Sequence, residues 1–444
     1  MPKTMLSVAF FIILSSAGAL ASEGAITLKQ AIELGLRENP GLKAAASSTE
    51  AAREDIGIAR SALLPKIALE ERFMRTTNPT FAFSSKLNQE RFAQDDFAIT
   101  SLNSPDAIND FQTSISFEQP LYLRGAGIGL RMAKEEYSAR KDELEGKREA
   151  AAFEIGSTYL LVNTAREFAR VADQGLEDAR EHLRLAEARY GSGLGLLSDV
   201  LRARTGVVEA EQRLVTAGKE LRVARRALGL LLGLEGEIVT ADEVEAPALK
   251  ELDYYLTASA RRSDLSSMSR RRDNAGNAVE LARSGYYPMI GVGGAYFLND
   301  HRAPFGAEGE SWQVSAFLRW NIFDGGLRSH ESKKASHLAN EAAHRLEGLR
   351  KTAVFSVHEA WLSVEEAKKN LELSEAALRS AEEGERLVRL RYENSLSPII
   401  DLLDARLSLE GARADRVMRK NALSTALLNL SFQAGTLLED LREE

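Results

Sequence analysis

Histidine is the side chain most often used to hold a metal ion or move a proton near neutral pH. Four of the six histidines here, His330, His337, His344 and His358, fall seven, seven and fourteen residues apart. On a helix this makes a stripe whose nearest members are about 10.5 Å apart, too far for one ion to bridge. No pair has the i, i+4 spacing of a ligand set, so a solvated helix face is expected, on which only copies of the chain could bring equivalent histidines together. Gly125-Ala126-Gly127-Ile128-Gly129 and Gly191-Ser192-Gly193-Leu194-Gly195 have the glycine density of phosphate loops. Neither has the third glycine of G-x-G-x-x-G nor a following Lys-Ser/Thr. They are expected to be turns, the first a flexible strand-to-helix junction. Arg261-Arg262 and Arg270-Arg271-Arg272 stand beside Asp264 and Asp273 and read as salt-bridged surface. With no cysteine, disulfides, thiolate metal sites and cysteine nucleophiles are excluded. No nucleophile, base and orienter stand at a familiar spacing, so no catalytic, cofactor-binding or metal-ligating residue is expected. A formal charge of -8 on 444 residues also disfavours nucleic acid as a partner.

The elements carrying these residues begin with an export signal. Lys3, the apolar run Met5 to Leu14 and the small-residue site Ala19-Leu20-Ala21 read as a signal peptide over residues 1–21. The run is shorter than the ~20 residues of a membrane-spanning helix, and no later window is longer. Any membrane the exported chain crosses must therefore be crossed by strands.

The remainder is written twice. Ala59-Arg60-Ser61, Pro65 and Ile67 recur as Ala282-Arg283-Ser284, Pro288 and Ile290, and Leu42 as Leu265, all displaced by 223 positions. Phe111-Gln112 and Ser114 return as Trp312-Gln313 and Ser315 at an offset of 201. Arg189-Tyr190, Asp199, Ala203 and Arg204 return as Arg391-Tyr392, Asp401, Ala405 and Arg406 at an offset of 202, with Gly233 reaching Gly435. The repeats are expected over 22–233 and 265–435, joined by 234–264 and followed by a tail, 436–444. So long a period suggests a duplicated half-molecule rather than a solenoid.

No proline stands between Pro120 and Pro247, and the interval is rich in Ala, Leu, Glu and Arg. Long helices are predicted over 129–190 and 196–232, and again over 327–392 and 399–432, separated by turns at 190–198 and 392–398. Heptad-spaced Ala353, Ala360 and Ala367 beside Val357, Val364 and Leu371 suit close antiparallel coiled coils. Strands are predicted at about 66–75, 111–120, 289–297 and 312–322 from alternation such as Trp312, Val314, Ala316, Leu318 against Gln313, Ser315, Phe317, Arg319. Each is near the ~9 to 11 residues of an outer-membrane strand. Phe73, Tyr122, Tyr286, Tyr287, Phe297, Trp312 and Phe323 crowd the strand ends like an interfacial girdle. Four strands cannot close a membrane barrel, for which about eight is the minimum, whereas three chains would supply twelve. The segment from Thr76 to Asp110, with Pro79 and Pro105, is expected to be a long irregular extracellular loop.

Leu28 to Leu42, Ala59 to Pro65, Trp320-Asn321-Ile322-Phe323-Asp324-Gly325-Gly326 and the two Arg-Tyr turns, taken in their order and duplication, resemble the TolC-like outer-membrane efflux protein family. That resemblance implies an α+β membrane protein whose long antiparallel coiled-coil helices form a periplasmic α-barrel. Four transmembrane strands per protomer would close a twelve-stranded β-barrel in a homotrimer. It implies the outer membrane of a Gram-negative bacterium, with no enzymatic activity and no cofactor. It also implies docking to a periplasmic adaptor and an inner-membrane efflux or secretion transporter, in contact with outer-membrane lipid.

By the same resemblance, Asp401 and Asp404 fall where rings of carboxylates line the periplasmic tip, six in a trimer, favouring cations. Asp199 and Tyr392 match positions that tie neighbouring helix pairs closed, and Gly193, Leu194, Ser395 and Leu396 lie on the turns that contact the adaptor. Ser397 stands where some members carry a bridging arginine. From the residues themselves, Ser397 is an expected helix N-cap, Pro398 a first helical residue and Asp401 a partner of the helix dipole. The functional expectation is a passive exit duct of a tripartite efflux system whose tip opens like an iris. Protein secretion of type I or metal export would use the same body. A periplasmic adaptor or coiled-coil scaffold is the alternative of another class.

Overall fold

The computed structural model describes residues 25–241 and 249–443. The signal peptide, residues 1–21, and part of the connector, residues 242–248, lie outside the described residues. The described residues fall into two compact units, one of residues 25–39, 152–241 and 364–428, the other of residues 40–151, 249–363 and 429–443. None of their helices is long and apolar enough to cross a membrane.

The first unit contains helix α1 (Leu28–Glu38), α6 (Leu197–Leu231) and the tip-side parts of three further helices, α5 (Arg124–Gly191), α9 (Leu327–Glu393) and α10 (Ile399–Ala434). A Thr27/Gln30 capping box starts α1 by satisfying backbone donors at both its positions. Ala179 and Ala186 on α5 and Ala203 and Ala210 on α6 are buried at seven-residue intervals. Small side chains at heptad positions let helices approach closely. On α9, Val364 and Ala367 in this unit, and Ala353, Val357 and Ala360 in the other, are likewise buried, as their heptad spacing predicts.

The second unit contains α2 (Pro40–Ser61), α7 (Leu252–Ser259), α8 (Ser263–Ser284), α11 (Leu437–Glu443), the other parts of α5, α9 and α10, and one sheet. Strands β1 (Lys66–Thr76), β2 (Ile108–Tyr122), β3 (Met289–Asp300) and β4 (Gly309–Arg319) pair antiparallel in the order β1-β2-β3-β4. Their registers include Leu69 opposite Ile115, Ser116 opposite Ala295 and Val292 opposite Ala316. Alternation puts Ile67, Leu69 and Phe73 on β1 and Trp312, Val314 and Leu318 on β4 at exposed positions. Both are edge strands, so one side of each is left without a partner among the described residues.

The duplication is visible in the element bounds. Helices α2 and α8 are both 22 residues long and coincide at the 223-residue offset, and α6 and α10 both start in register at 202. Gly233 and Gly435 end α6 and α10 with positive φ, each followed by an amide that reaches back five residues, Leu234 to Gly229 O and Thr436 to Ser431 O. These are Schellman endings, which favour glycine.

Three expectations need correction. The 76–110 connection is not irregular: it holds α3 (Pro79–Asn88), a 3₁₀ turn (Gln94–Phe97) and α4 (Ile99–Asn103). Asn78 caps α3 with Pro79 at its first position, and edge-to-face contacts of Phe83 with Phe92 and of Phe92 with Phe97 hold the turn. Gly125 to Gly129 is not a flexible junction, because α5 already begins at Arg124. A Cβ at Gly125 would lie 3.1 Å from Ser284 Oγ, so this glycine permits close packing against α8. Strand β4 stops at Arg319 although apolar alternation runs on to Ile322, because its partner β3 starts opposite, at Met289.

Candidate channel tip

The two inter-helix turns lie in the first unit and have one backbone design. In the first, Gly193 N–H donates to Tyr190 O and Leu194 N–H to Arg189 O. In the second, Ser395 N–H donates to Tyr392 O and Leu396 N–H to Arg391 O. The residue at the left-handed position is Gly193 at φ +79° in one and Ser395 at φ +62° in the other, so the second turn carries a Cβ penalty that the first avoids. Gly195 is required for a different reason: a Cβ there would lie 2.9 Å from Tyr190 N.

Tyr392 packs in a core with Ala186, Val200, Ala203, Ile399 and Leu402, bringing α5, α6, α9 and α10 together. Its phenol oxygen is buried with no hydrogen-bond partner among the described residues. Burial pushes the phenol pKa up, the Arg189 guanidinium opposes the shift, and Asp199 adds to it. No hydrogen bond joins Asp199 to Tyr392.

Arg189, for which the sequence suggests no role, is the residue that joins the two turns. From the end of α5 its guanidinium donates to Tyr392 O, to Ser395 Oγ at 3.0 Å and to Leu194 O at 3.4 Å, and it lies 4.4 Å from the Tyr392 ring centroid. The visible signal was the Arg-Tyr pair written twice. Below the turns, buried His182 Nε2 is 3.3 Å from Glu385 Oε1, and Arg389 donates to the same carboxylate at 2.7 Å. Burial works against the charged form of Glu385, yet these hydrogen bonds hold its carboxyl below the usual range. Arg406 is buried and donates to Gly175 O at 3.1 Å, and Arg413 to Asp178 at 2.8 Å. Guanidinium groups thus carry most of the polar joinery between α5 and the second helix pair, suiting a side chain with several fixed donors.

Asp401 and Asp404 are exposed on the first turns of α10, three residues apart, and Asp199 is half-buried in the first turn of α6. Gly193, Leu194, Ser395 and Leu396 are all exposed on the turns. Ser397 does not cap α10: the helix starts at Ile399, and the Ser397 hydroxyl is buried without a hydrogen-bond partner among the described residues. His330, His337, His344 and His358 are all exposed on α9. Among the described residues, one group has converging metal-type donors, Asp300, His301 and Glu308 in the β3–β4 hairpin. There Glu308 accepts from His301 Nδ1, and Asp300 accepts from the amides of Arg302 and Ala303 at 2.6 and 3.0 Å. The donors are occupied in closing the hairpin.

Known proteins share this architecture. The chain is 22% identical over 428 residues to the alkaline protease secretion protein AprF of Pseudomonas aeruginosa, covering 94% of this chain and 85% of AprF. It is 23% identical over 419 residues to the pyoverdine export outer membrane protein OpmQ of the same species, covering 92% and 84%. The CmeC outer membrane channel of Campylobacter jejuni has the same fold, with a TM-score of 0.76 at 18% identity over 98% of this chain and 94% of CmeC. Residues 31–234 and 255–436 match the family described as outer membrane efflux protein. That match sets aside the adaptor and scaffold readings: the chain belongs to the outer membrane efflux protein family, as an outer-membrane channel protein of a Gram-negative bacterium with a helical periplasmic extension.

Proposed function

We propose that three copies of this chain form a passive exit duct, receiving cargo from an inner-membrane transporter through a periplasmic adaptor, with no catalytic step of its own. The observation that carries this reading is the open sheet. Strands β1 and β4 are both edges, and they expose the alternating apolar side chains Ile67, Leu69 and Phe73 on one and Trp312, Val314 and Leu318 on the other. In a bilayer an unpaired edge leaves backbone groups unsatisfied, so β4 of one copy must pair with β1 of the next until the sheet closes. Three copies give twelve strands, within the range of outer-membrane barrels. Asp401 and Asp404 line the tip, Asp199 and Tyr392 belong to its closure, and Gly193, Leu194, Ser395 and Leu396 face the adaptor.

A secretion role is the second reading, since AprF and OpmQ, similar to this chain at nearly equal identity, are named for a protease and for pyoverdine. The test of the duct is planar-bilayer conductance of the purified protein with its oligomeric mass measured on the same sample. A trimer passing small, cation-selective currents is expected. A monomer without channel activity would refute the proposal.

A further inference from the structure

Repetition within the chain leaves one tip junction made and another unmade. Arg189 and Tyr392 meet across the two helix pairs. At the 202-residue offset Arg189 corresponds to Arg391, Tyr392 to Tyr190 and Ile399 to Leu197. Tyr392 and Ile399 are 2% and 1% exposed, whereas Tyr190 and Leu197, in the same register on the first repeat, are 48% and 52% exposed. Arg391 is exposed and, among the described residues, its guanidinium makes no hydrogen bond or ion pair; its backbone oxygen accepts from the Leu396 amide. The difference recurs farther along: buried Arg406 bonds across to Gly175, while its counterpart Arg204 lies out on the surface beside Glu187.

Each repeat therefore carries both a donor face, with the arginine, and an acceptor face, with the tyrosine and the aliphatic residue. One chain can join the first repeat's donor face to the second repeat's acceptor face. The second donor face and the first acceptor face are left open, the head-to-tail condition that propagates from copy to copy until a ring closes.

Resting on the trimeric reading above, we infer that Arg391 clasps the Tyr190 turn of a neighbouring copy of this chain, with Tyr190 and Leu197 packing into that junction as Tyr392 and Ile399 do within the protomer. The tip is then a ring of alternating intra-chain and inter-chain clasps. The two kinds are unequal, because the position of Ser395, whose hydroxyl accepts from Arg189, is held in the first repeat by Gly193, which has no side-chain oxygen. The inter-chain clasp lacks that hydrogen bond and is the seam that parts first when the tip opens.

The chain has no cysteine, so introduced thiols report without background. Tyr190→Cys with Arg391→Cys, treated with a short thiol-to-thiol cross-linker in the intact full-length protein, is expected to give covalent dimers and trimers. Arg189→Cys with Ser395→Cys is expected to give only cross-linked monomer, and each single variant no product. Only monomeric bands from the Tyr190/Arg391 pair, in a sample whose mass is that of a trimer, would overturn the clasp while leaving the duct standing; a monomeric mass would overturn both. As an independent readout, Arg391→Ala is expected to raise single-channel conductance several-fold with the trimer mass retained, and unchanged conductance would overturn the seam assignment.

Discussion

The Arg189 guanidinium lies over the Tyr392 ring, 4.4 Å from its centroid, while donating to the backbone oxygen of that same residue. One side chain thus holds both the ring and the backbone of the facing turn, and its further bond to Ser395 Oγ extends the hold to the left-handed residue. Replacing Arg189 by alanine removes a stacked cation and several charge-assisted donors. The expected cost is about 1–3 kcal/mol of local stability and a conductance above that of the parent. Arg189→Lys should recover little of either, because an ammonium lacks the planar, multi-donor geometry. Single-channel recording and thermal unfolding of both variants check this.

Ser395→Gly sets two effects against each other. Removing the Cβ from a residue at φ +62° relieves a strain of about 1 kcal/mol, while losing the hydroxyl removes a bond from Arg189 of similar size. The single substitution is expected to be close to neutral. In an Arg189→Ala background only the strain relief remains, and Ser395→Gly should then stabilise by about 1 kcal/mol. A double-mutant cycle that showed simple additivity would contradict the coupling.

Asp401 and Asp404 are exposed on successive positions of one face of α10. Replacing both with alanine is predicted to lower cation selectivity and remove block by multivalent cations, with conductance raised up to several-fold. Reversal potentials in asymmetric salt, before and after the substitutions, provide the measurement.

Glu149 supplies a pH dependence away from the tip. Burial pushes its carboxyl up to about 7, the Leu438 amide opposes this, and Glu439, Asp440 and Glu145 reinforce it. One of its oxygens is buried without a hydrogen-bond partner among the described residues. Its folded pKa is above the unfolded one, so its contribution is fully present below the ordinary carboxylate range and is lost as pH rises through about 7. Thermal midpoints should fall from about pH 5 to about pH 8, and Glu149→Gln should flatten that slope. An equal slope in both proteins would assign the effect to other groups.

The β1–β2 connection carries α3 and α4, and α4 ends at Asn103. An epitope inserted after Asn103 is expected to be labelled on intact cells. Labelling only after the outer membrane is disrupted would invert the proposed topology.

Local pattern determined most of the architecture. The offsets of 223 and 202, the scarcity of proline and the switch from heptad to alternating periodicity placed every long helix and strand near its observed bounds. The periodicities are local signals, because residues a few positions apart must share a face, and the offsets carry them from one repeat to the other. The misses arose where the outcome depends on what lies opposite. Phe83, Phe92 and Phe97 shape the 76–110 connection by packing on one another, β4 ends where β3 offers no further partner, and the Ser397 hydroxyl is buried without capping a helix. Arg189-Tyr190 and Arg391-Tyr392 are the clearest case. The dipeptides are identical in sequence, but Arg189 and Tyr392 face each other inside one protomer while Tyr190 and Arg391 remain at its surface. No local rule separates two copies of one motif; only the tertiary structure does, because a single chain can bring together one donor face and one acceptor face and must leave the other two open.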